Sequence, residues 1–446
     1  MPPFTRFVAT TVACAAAISA VVPVTVAAPA AADPCSVSTS GQAPSSTTPG
    51  FTMPSLPKLP VLHLPIGRMP SILQGKTSPN ADPAKTTDTG IAPNVLPGPA
   101  PKASTGSRVD WITGPNTYSY SRFHISGADL GIMWDNGQTG AGNQVLIAFG
   151  DTFGDCSVTD QEWRKNTLFR SSDRDLAGGM AILDPRFDDV YAGSPVARDR
   201  PRPDFSRQVV ASLNLAATEV TIIPTAGISV GTTQYVNFMS VSKWGAPGQW
   251  STNFSAVAVS NDNGENWTVP TSGIRPAWFN SVPGVAFVWG YQNFQMGAYL
   301  RANGYVYAYG TTPGRGGAPF LSRVPENSVA DLAAYEYFTP FGWLRNMPFL
   351  AIQVVWAPGS EMSVAWNDYL KKFVMLYTDS FSNVVMRTAD KPEGPWSLST
   401  KIVSSTDVPG GIYAPYVHPW STGRDLYFTL SLWSNYSVML MRTALG

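Results

Sequence analysis

The chain is poor in the groups on which many enzyme chemistries depend. Its 446 residues contain three cysteines and three histidines, His63, His124 and His418. The histidines form no H-x-x-x-H pair and no cysteine cluster accompanies them, which excludes the common zinc sites. No nucleophile elbow is recognised. No G-x-G-x-x-G leads from a strand into a helix, and the Gly-rich run Gly310–Gly317 lacks the G-K-[ST] ending of a P-loop. Charged residues make up 13% of the chain, about half the usual share. Lys plus Arg equals Asp plus Glu at 30 each, and no basic run occurs. The chain therefore has no field to draw in nucleic acid or anionic lipid. Past the N-terminus no apolar stretch approaches the ~20 residues of a spanning helix. No cofactor and no metal site is expected, with Ca2+ and a water-filled axial channel left open.

What is abundant is glycine and proline, 39 of each, with 44% hydrophobic and 12% aromatic residues. That mixture means many turns, few long helices and a large core. Arg6, the apolar stretch Val8 to Ala28 and the small residues Ala30-Ala31-Ala32 read as a signal peptide over 1–32, cleaved before Asp33. The alternative is an uncleaved membrane anchor. Cleavage predicts a secreted or cell-envelope protein with no membrane association afterwards. It removes Cys14 and leaves Cys35 and Cys156, a pair that in an oxidising compartment is expected to form one disulfide. Such a bond would pin the following segment beside the Asp151 loop. Residues 33–107 are rich in Pro, Ser and Thr and bury too little apolar area to offset ordering entropy. They read as a linker, or as a tail packed through Phe51, Leu56, Leu62 and Ile66.

From residue 108 to 446 short runs rich in Val, Tyr, Phe and Thr alternate with Gly, Asn, Asp and Pro turns, an all-β pattern. Strands are expected at Val145–Phe149, Tyr235–Met239, Tyr305–Tyr309, Phe373–Tyr377 and Leu426–Leu430, recurring at roughly 50 to 90 residues, the spacing of propeller blades with loops. Met-Arg-Thr-Ala occurs at 386–389 and again 55 residues later at 441–444. One short helix is expected over Val329–Phe338. Ser260-Asn261-Asp262-Asn263-Gly264-Glu265-Asn266-Trp267 matches the S-x-D-x-G-x-x-W box of sialidase-like propellers, in which Asp262 serves a hairpin turn rather than catalysis.

Two carboxylates stand beside glycines near strand ends, in Asp129-Leu130-Gly131 and Phe149-Gly150-Asp151-Thr152-Phe153-Gly154. A pair of Asp or Glu side chains across one cleft is what hydrolysis of a sugar acetal requires. Asp151, between Phe149 and Phe153, is expected to be the protonated acid, and Asp129 the ionised base or nucleophile. For each residue a turn or capping role is the alternative. Arg164 and Asn166 are candidate contacts to sugar hydroxyls, or a strand-edge polar pair. Arg315 is a candidate on a rim loop, and Tyr413 and His418 lie in an aromatic segment fit for a subsite wall or for blade packing. Trp134, Trp289 and Trp433 carry the same two readings, with the core favoured.

Together with Trp163-Arg164-Lys165-Asn166-Thr167-Leu168, Ser171-Ser172-Asp173, Tyr309-Gly310-Thr311 with Gly314-Arg315, Trp366-Asn367-Asp368-Tyr369, Pro392-Glu393-Gly394-Pro395-Trp396 and Leu430-Ser431-Leu432-Trp433, these motifs resemble the actinobacterial domain of unknown function 4185 proteins over nearly all of 108–446. The signal peptide and Pro-rich tail resemble mycobacterial ones. The resemblance implies a five-bladed β-propeller. It also implies, for some members, endo-D-arabinanase activity (glycoside hydrolase family 183) on the α-linked D-arabinan of arabinogalactan and lipoarabinomannan, with Asp129 and Asp151 at the catalytic positions. A cell-envelope polysaccharide would then be the partner. Gly310-Thr311-Thr312-Pro313 departs from the family's Gly-Thr-Pro, which implies a shifted rim near Arg315. A glycan-binding propeller without catalysis, and a protein-interaction propeller, are the other readings.

Overall fold

The computed structural model describes residues 35, 97–199 and 204–446. The expected signal peptide and all of the expected tail before residue 97 except Cys35 lie outside the described residues. Strand β1 (Ser107–Trp111) opens the described domain and is followed by five sheets. Blade one holds β2 (Gly127–Asp135), β3 (Val145–Phe153) and β4 (Thr167–Ser171). Blade two holds β5 (Thr221–Val230), β6 (Thr233–Trp244), β7 (Trp250–Ser260) and β8 (Arg275–Pro276). Blade three holds β9 (Met296–Ala302), β10 (Tyr305–Thr311), β11 (Phe320–Pro325), β12 (Glu336–Thr339) and β13 (Gly342–Arg345). Blade four holds β14 (Ser363–Asn367), β15 (Lys372–Thr378), β16 (Val384–Ala389) and β17 (Thr400–Val403). Blade five holds β18 (Ile412–Val417), β19 (Asp425–Leu432) and β20 (Ser437–Ala444), completed by β1. The first strands β2, β5, β9, β14 and β18 pack in succession and β18 returns to β2, so the sheets close a five-bladed propeller.

All five expected strand segments are present, and each is the second strand of its blade: β3, β6, β10, β15 and β19. This position is flanked on both sides by paired strands, so its residues are buried almost without interruption and read as apolar runs. The two Met-Arg-Thr-Ala copies occupy β16 and β20, the third strands of blades four and five. Facing blades bury apolar layers between them. Val374, Leu376, Phe428, Leu430, Met439 and Met441 form such a layer between blades four and five. Full burial of side chains of this size stabilises by about 1.5–3 kcal/mol each.

Ring closure joins the two ends of the domain. β1 runs antiparallel to β20, pairing Ser107 with Arg442 and Trp111 with Met439. The pairing extends further back, with Ser104 N–H donating to Ala444 O at 2.8 Å and an isolated bridge between Ala103 and Leu445. The expected boundary at 107/108 therefore falls inside a strand, and the segment from about residue 98 belongs to the domain.

Two local expectations change. Val329–Phe338 contains a 3-10 turn at Leu332–Ala334, capped by Asp331, and then becomes β12. Tyr337 pairs with both Ser322 and Leu344, and sheet pairing overrides the local helical preference. A six-residue helix, α1 (Tyr118–Phe123), forms where none was expected, with Thr117 accepting from Ser119 N–H and His124 ending it in the left-handed region. The box at 260–267 builds its expected turn. The Asp262 carboxylate accepts from Ser260, from Asn266 N–H and from the Asn266 side chain, and Trp267 donates to Gly264 O.

Cys35 and Cys156 are joined by a disulfide. It ties the N-terminal segment to the loop that follows Asp151. Thiol titration of the denatured, unreduced protein beginning at residue 33 should find no free thiol, and two after reduction. Two free thiols without reductant would contradict the bond.

Candidate functional site

The site is built from a defect in blade one. β2 and β3 pair regularly up to Ala128 opposite Thr152, then Leu130 faces Phe149, and then Ile132 faces Ala148. The first shift leaves an extra residue on β3 and the second an extra residue on β2, so the register beyond is restored. Two bulges thus cancel, and the residues of the first, Asp129 opposite Gly150-Asp151, are turned out of the regular ladder. Leu130 is held at φ 68°, a left-handed conformation unusual for a bulky side chain. Blade five holds the backbone there. Ser431 Oγ accepts from Leu130 N–H at 2.9 Å, Thr429 Oγ1 donates to Gly131 O at 2.8 Å, and Tyr436 O accepts from Ala128 N–H at 2.8 Å. Glycine at 150 leaves room for the carboxyl, because a Cβ there would lie 2.5 Å from Asp129 Oδ1 and displace it.

Both carboxyls face one cavity of about 360 Å³. Its wall takes Ile223 and Met239 from blade two, Met296 from blade three, Trp433 and Tyr436 from blade five, and Trp244 and Trp250 from the ends of the β6–β7 hairpin. The mainly apolar lining has electrostatic consequences. Burial pushes the Asp129 carboxyl up to about 8, with the Asp151 and Glu361 charges adding to the rise, while the Tyr413 hydroxyl (3.2 Å from Oδ2) and Arg315 oppose it. Burial pushes Asp151 up to about 7, opposed by hydrogen bonds from Thr221 Oγ1 and from Trp163 Nε1 (3.1 Å) and by the Lys165 charge. Asp129 Oδ1 is buried without a hydrogen-bond partner.

These hydrogen bonds reverse the expected order of acidity. The aromatic neighbours were expected to make Asp151 the protonated member. Instead an indole N–H and a hydroxyl donate to Asp151 and favour its anion, while Asp129 lies closer to the other negative charges. The pair titrates as a unit, and the first negative charge settles on Asp151.

The other candidates divide. Arg315 lines the cavity, with Nε donating to Glu361 Oε2 at 2.7 Å and the guanidinium 4.0 Å above the Tyr413 ring. Tyr413 stands beside Asp129 and beneath Arg315. Arg164 and Asn166 do not reach the cavity. Arg164 is buried, donating to His124 O at 2.8 Å and lying 4.5 Å over the Phe205 ring. Asn166 is fully buried and joins Val209, Val210 and Ile222 through backbone hydrogen bonds. Both are structural: they lie in the segment before β4 and their side chains are spent on backbone groups of neighbouring loops and strands. His418 follows the far end of β18 from Tyr413, roughly 16 Å away at strand rise. It is buried against Trp420, accepts from Trp420 N–H through Nδ1, and burial pushes it down to about 4. It forms no subsite wall.

Trp134 is in the core, as expected, donating to Gln234 at 2.8 Å. Trp289 is largely exposed and Trp433 lines the cavity, so neither is a core residue. Sequence reasoning missed Glu361, Thr221 and Trp163. Trp163 sits in a motif already singled out, next to the two polar residues that drew attention. Glu361, in a loop before β14, carried no signal. The string Gly227-Ile228-Ser229-Val230-Gly231 spells G-x-S-x-G, but it runs along β5 into the hairpin with β6, and no helix follows to make an elbow. Among the described residues no group of three or more His, Cys, Asp or Glu is placed to hold a metal ion.

Residues 113–442 match the family model described as "Domain of unknown function (DUF4185)". The chain belongs to this family. Two relatives are Notoamide biosynthesis cluster protein J' of Aspergillus versicolor and Notoamide biosynthesis cluster protein J of Aspergillus sp. (strain MF297-2). Each is 25% identical, over 73% and 74% of this chain and 86% of the relative. Among solved structures, a Bacteroides ovatus ATCC 8483 protein overlaps with TM-score 0.49 at 11% identity, over 74% of this chain and 88% of its own. The α-L-arabinofuranosidase PaAbf62A of Podospora anserina overlaps with TM-score 0.41 at 11% identity, over 78% and 98%. For this DUF4185 chain the fold therefore rests on its own sheets, and the chemistry on its own site.

Two measurements check the electrostatics. In Trp163→Phe the Asp151 anion loses one N–H donor, so its carboxyl 13C titration should move up by about one pH unit; an unmoved midpoint would contradict the hydrogen bond. Both folded-state values lie above the ordinary carboxylate value, so the folded state holds more protons. Stability is then lost as pH rises from about 4 through about 8. Asp129→Asn should raise the melting temperature by several degrees at pH 8.5 and change it little at pH 4.

Proposed function

We propose that the protein is a secreted glycoside hydrolase. Its substrate would be cell-envelope D-arabinan, cut at internal α-D-arabinofuranosidic linkages of mycobacterial arabinogalactan and lipoarabinomannan. One observation carries the hydrolase reading. Two carboxyls share an aromatic-walled cavity in environments that leave one ionised while the other keeps its proton near neutral pH. The choice of arabinan is supported by the motifs at 129–131, 149–154 and 163–168, and secretion by the leader-like first 32 residues.

In this reading Asp129 is the general acid. The residue lines the cavity, and its proton passes to the glycosidic oxygen as the C–O bond breaks and the bond pair leaves with that oxygen. Asp151, oriented by Trp163 and Thr221, acts on the opposite side of the oxocarbenium-like centre. In a retaining reaction its carboxylate bonds to the anomeric carbon. In an inverting one it takes a proton from the attacking water. Carboxyl groups about 5–5.5 Å apart suit the first, and ~6.5–9.5 Å the second. Arg315, with its charge balanced by Glu361, offers N–H donors to neutral sugar hydroxyls and damps the field at Asp129.

Incubation with purified mycobacterial arabinogalactan should release a ladder of arabino-oligosaccharides, resolved by chromatography. Asp129→Asn and Asp151→Asn should each lower the rate by about 10²–10⁴-fold. The kcat/KM profile should be bell-shaped, rising as Asp151 ionises near 7 and falling as Asp129 ionises near 8. Saturable binding with no product would leave a glycan-recognition propeller in place of the enzyme. Free monosaccharide alone would point to exo cleavage.

A further inference from the structure

A second cavity, of about 630 Å³, adjoins the first. The two share Pro247, Gly248, Gln249, Arg315 and Trp433, so they form one groove with a waist at Arg315 and Trp433. Beyond the waist the groove runs over the β15–β16 hairpin of blade four, where Thr378, Ser380 and Ser382 line it, and along Gly411 and Ile412 at the start of blade five. Each cavity lies within the ~300–1,000 Å³ range of ligand sites.

The chemistry of the second chamber is that of a neutral, hydroxyl-rich ligand. Its two charged lining residues are both occupied. Arg315 is paired with Glu361. The Asp379 carboxylate is taken up by Phe381 N–H, Asn383 N–H and the Asn383 side chain, which hold its own hairpin turn. What remains in the lining is Thr378, Ser380 and Ser382, the Gln249 amide, glycine backbone, the Trp433 indole and uncharged apolar side chains. The walls are also stiff. Ser405 binds Phe381 O at 3.0 Å and fixes the hairpin, Trp433 N–H donates to Gly411 O at 2.9 Å, and Arg315 N–H donates to Gly248 O at 2.8 Å across blades two and three. A rigid site of this kind loses little free energy to ordering when a ligand enters.

We propose that this chamber is a distal subsite for a neutral oligosaccharide chain. It would bind sugar units on one side of the carboxyl pair, with Trp433 as the stacking surface at the waist. The assignment of arabinan as that chain rests on the proposed function. The chamber itself is tested apart from hydrolysis. Ser380 is exposed at the tip of the hairpin, so Ser380→Trp fills the chamber without touching the core. Native affinity electrophoresis in gels containing mycobacterial arabinogalactan reads the dissociation constant, with thermal melting as the check on folding. Wild-type protein should be retarded, and Ser380→Trp should bind at least tenfold more weakly at an unchanged melting temperature. Equal retardation of the two proteins, or no retardation of the wild type, overturns the subsite. Retardation that Ser380→Trp weakens, in a wild type that releases no oligosaccharide, supports the subsite and removes the hydrolase. Product release with binding insensitive to Ser380→Trp does the reverse.

Discussion

The molecule depends on the closure of its ring. A β-sheet edge must be paired or covered, and here β1 supplies the missing edge of blade five and fixes the last blade beside the first. Only with blade five in place can Ser431, Thr429 and Tyr436 reach the backbone on either side of Asp129 and hold Leu130 in its left-handed conformation. That conformation is unfavourable in isolation and persists because three hydrogen bonds from another sheet over-determine it. The position of the Asp129 carboxyl is thus a property of the closed ring rather than of the strand that carries it.

The electrostatics follow from the same geometry. Taking two carboxyls out of water into an apolar wall disfavours the charge of each, and their proximity disfavours both being charged together. The protein separates them by unequal hydrogen bonding rather than by unequal burial. Trp163 and Thr221 serve Asp151, while Asp129 has the Tyr413 hydroxyl on one oxygen and nothing on the other. Glu361 would add a third negative charge to the cavity, and its pairing with Arg315 limits that effect. Such an arrangement lowers the stability of the fold at alkaline pH, a common feature of sites organised for chemistry rather than for cohesion.

How far the sequence disclosed this depended on the range of the interactions involved. Second strands were legible because burial on both flanks turns them into apolar runs, and the 260–267 turn was legible because its hydrogen bonds are local. Asp129, Asp151 and Arg315, which line one cavity, stand in glycine-flanked motifs that mark backbone exceptions. Arg164 and Asn166 were misread because a polar residue beside a strand has the same sequence signature whether it faces a funnel or ties down a neighbouring loop. His418 was misread because it shares a motif with Tyr413 but sits at the other end of the strand. Glu361 was invisible because its partner, Arg315, comes from another blade. Helix α1 and the turn at Leu332–Ala334 were decided by capping and by sheet pairing, neither of which leaves a periodic pattern.

The paired bulges of blade one have one more consequence. Because the slip on β3 is undone by the slip on β2, inward and outward positions resume their alternation beyond the defect as if the sheet were unbroken. The bulged segment is in effect a patch stitched into a continuous fabric. Its length and residue content can drift while the surrounding weave keeps its count, provided that a residue gained or lost on one thread is matched on the other. A single unmatched insertion would transpose one flank of the sheet, exchanging its solvent and core faces.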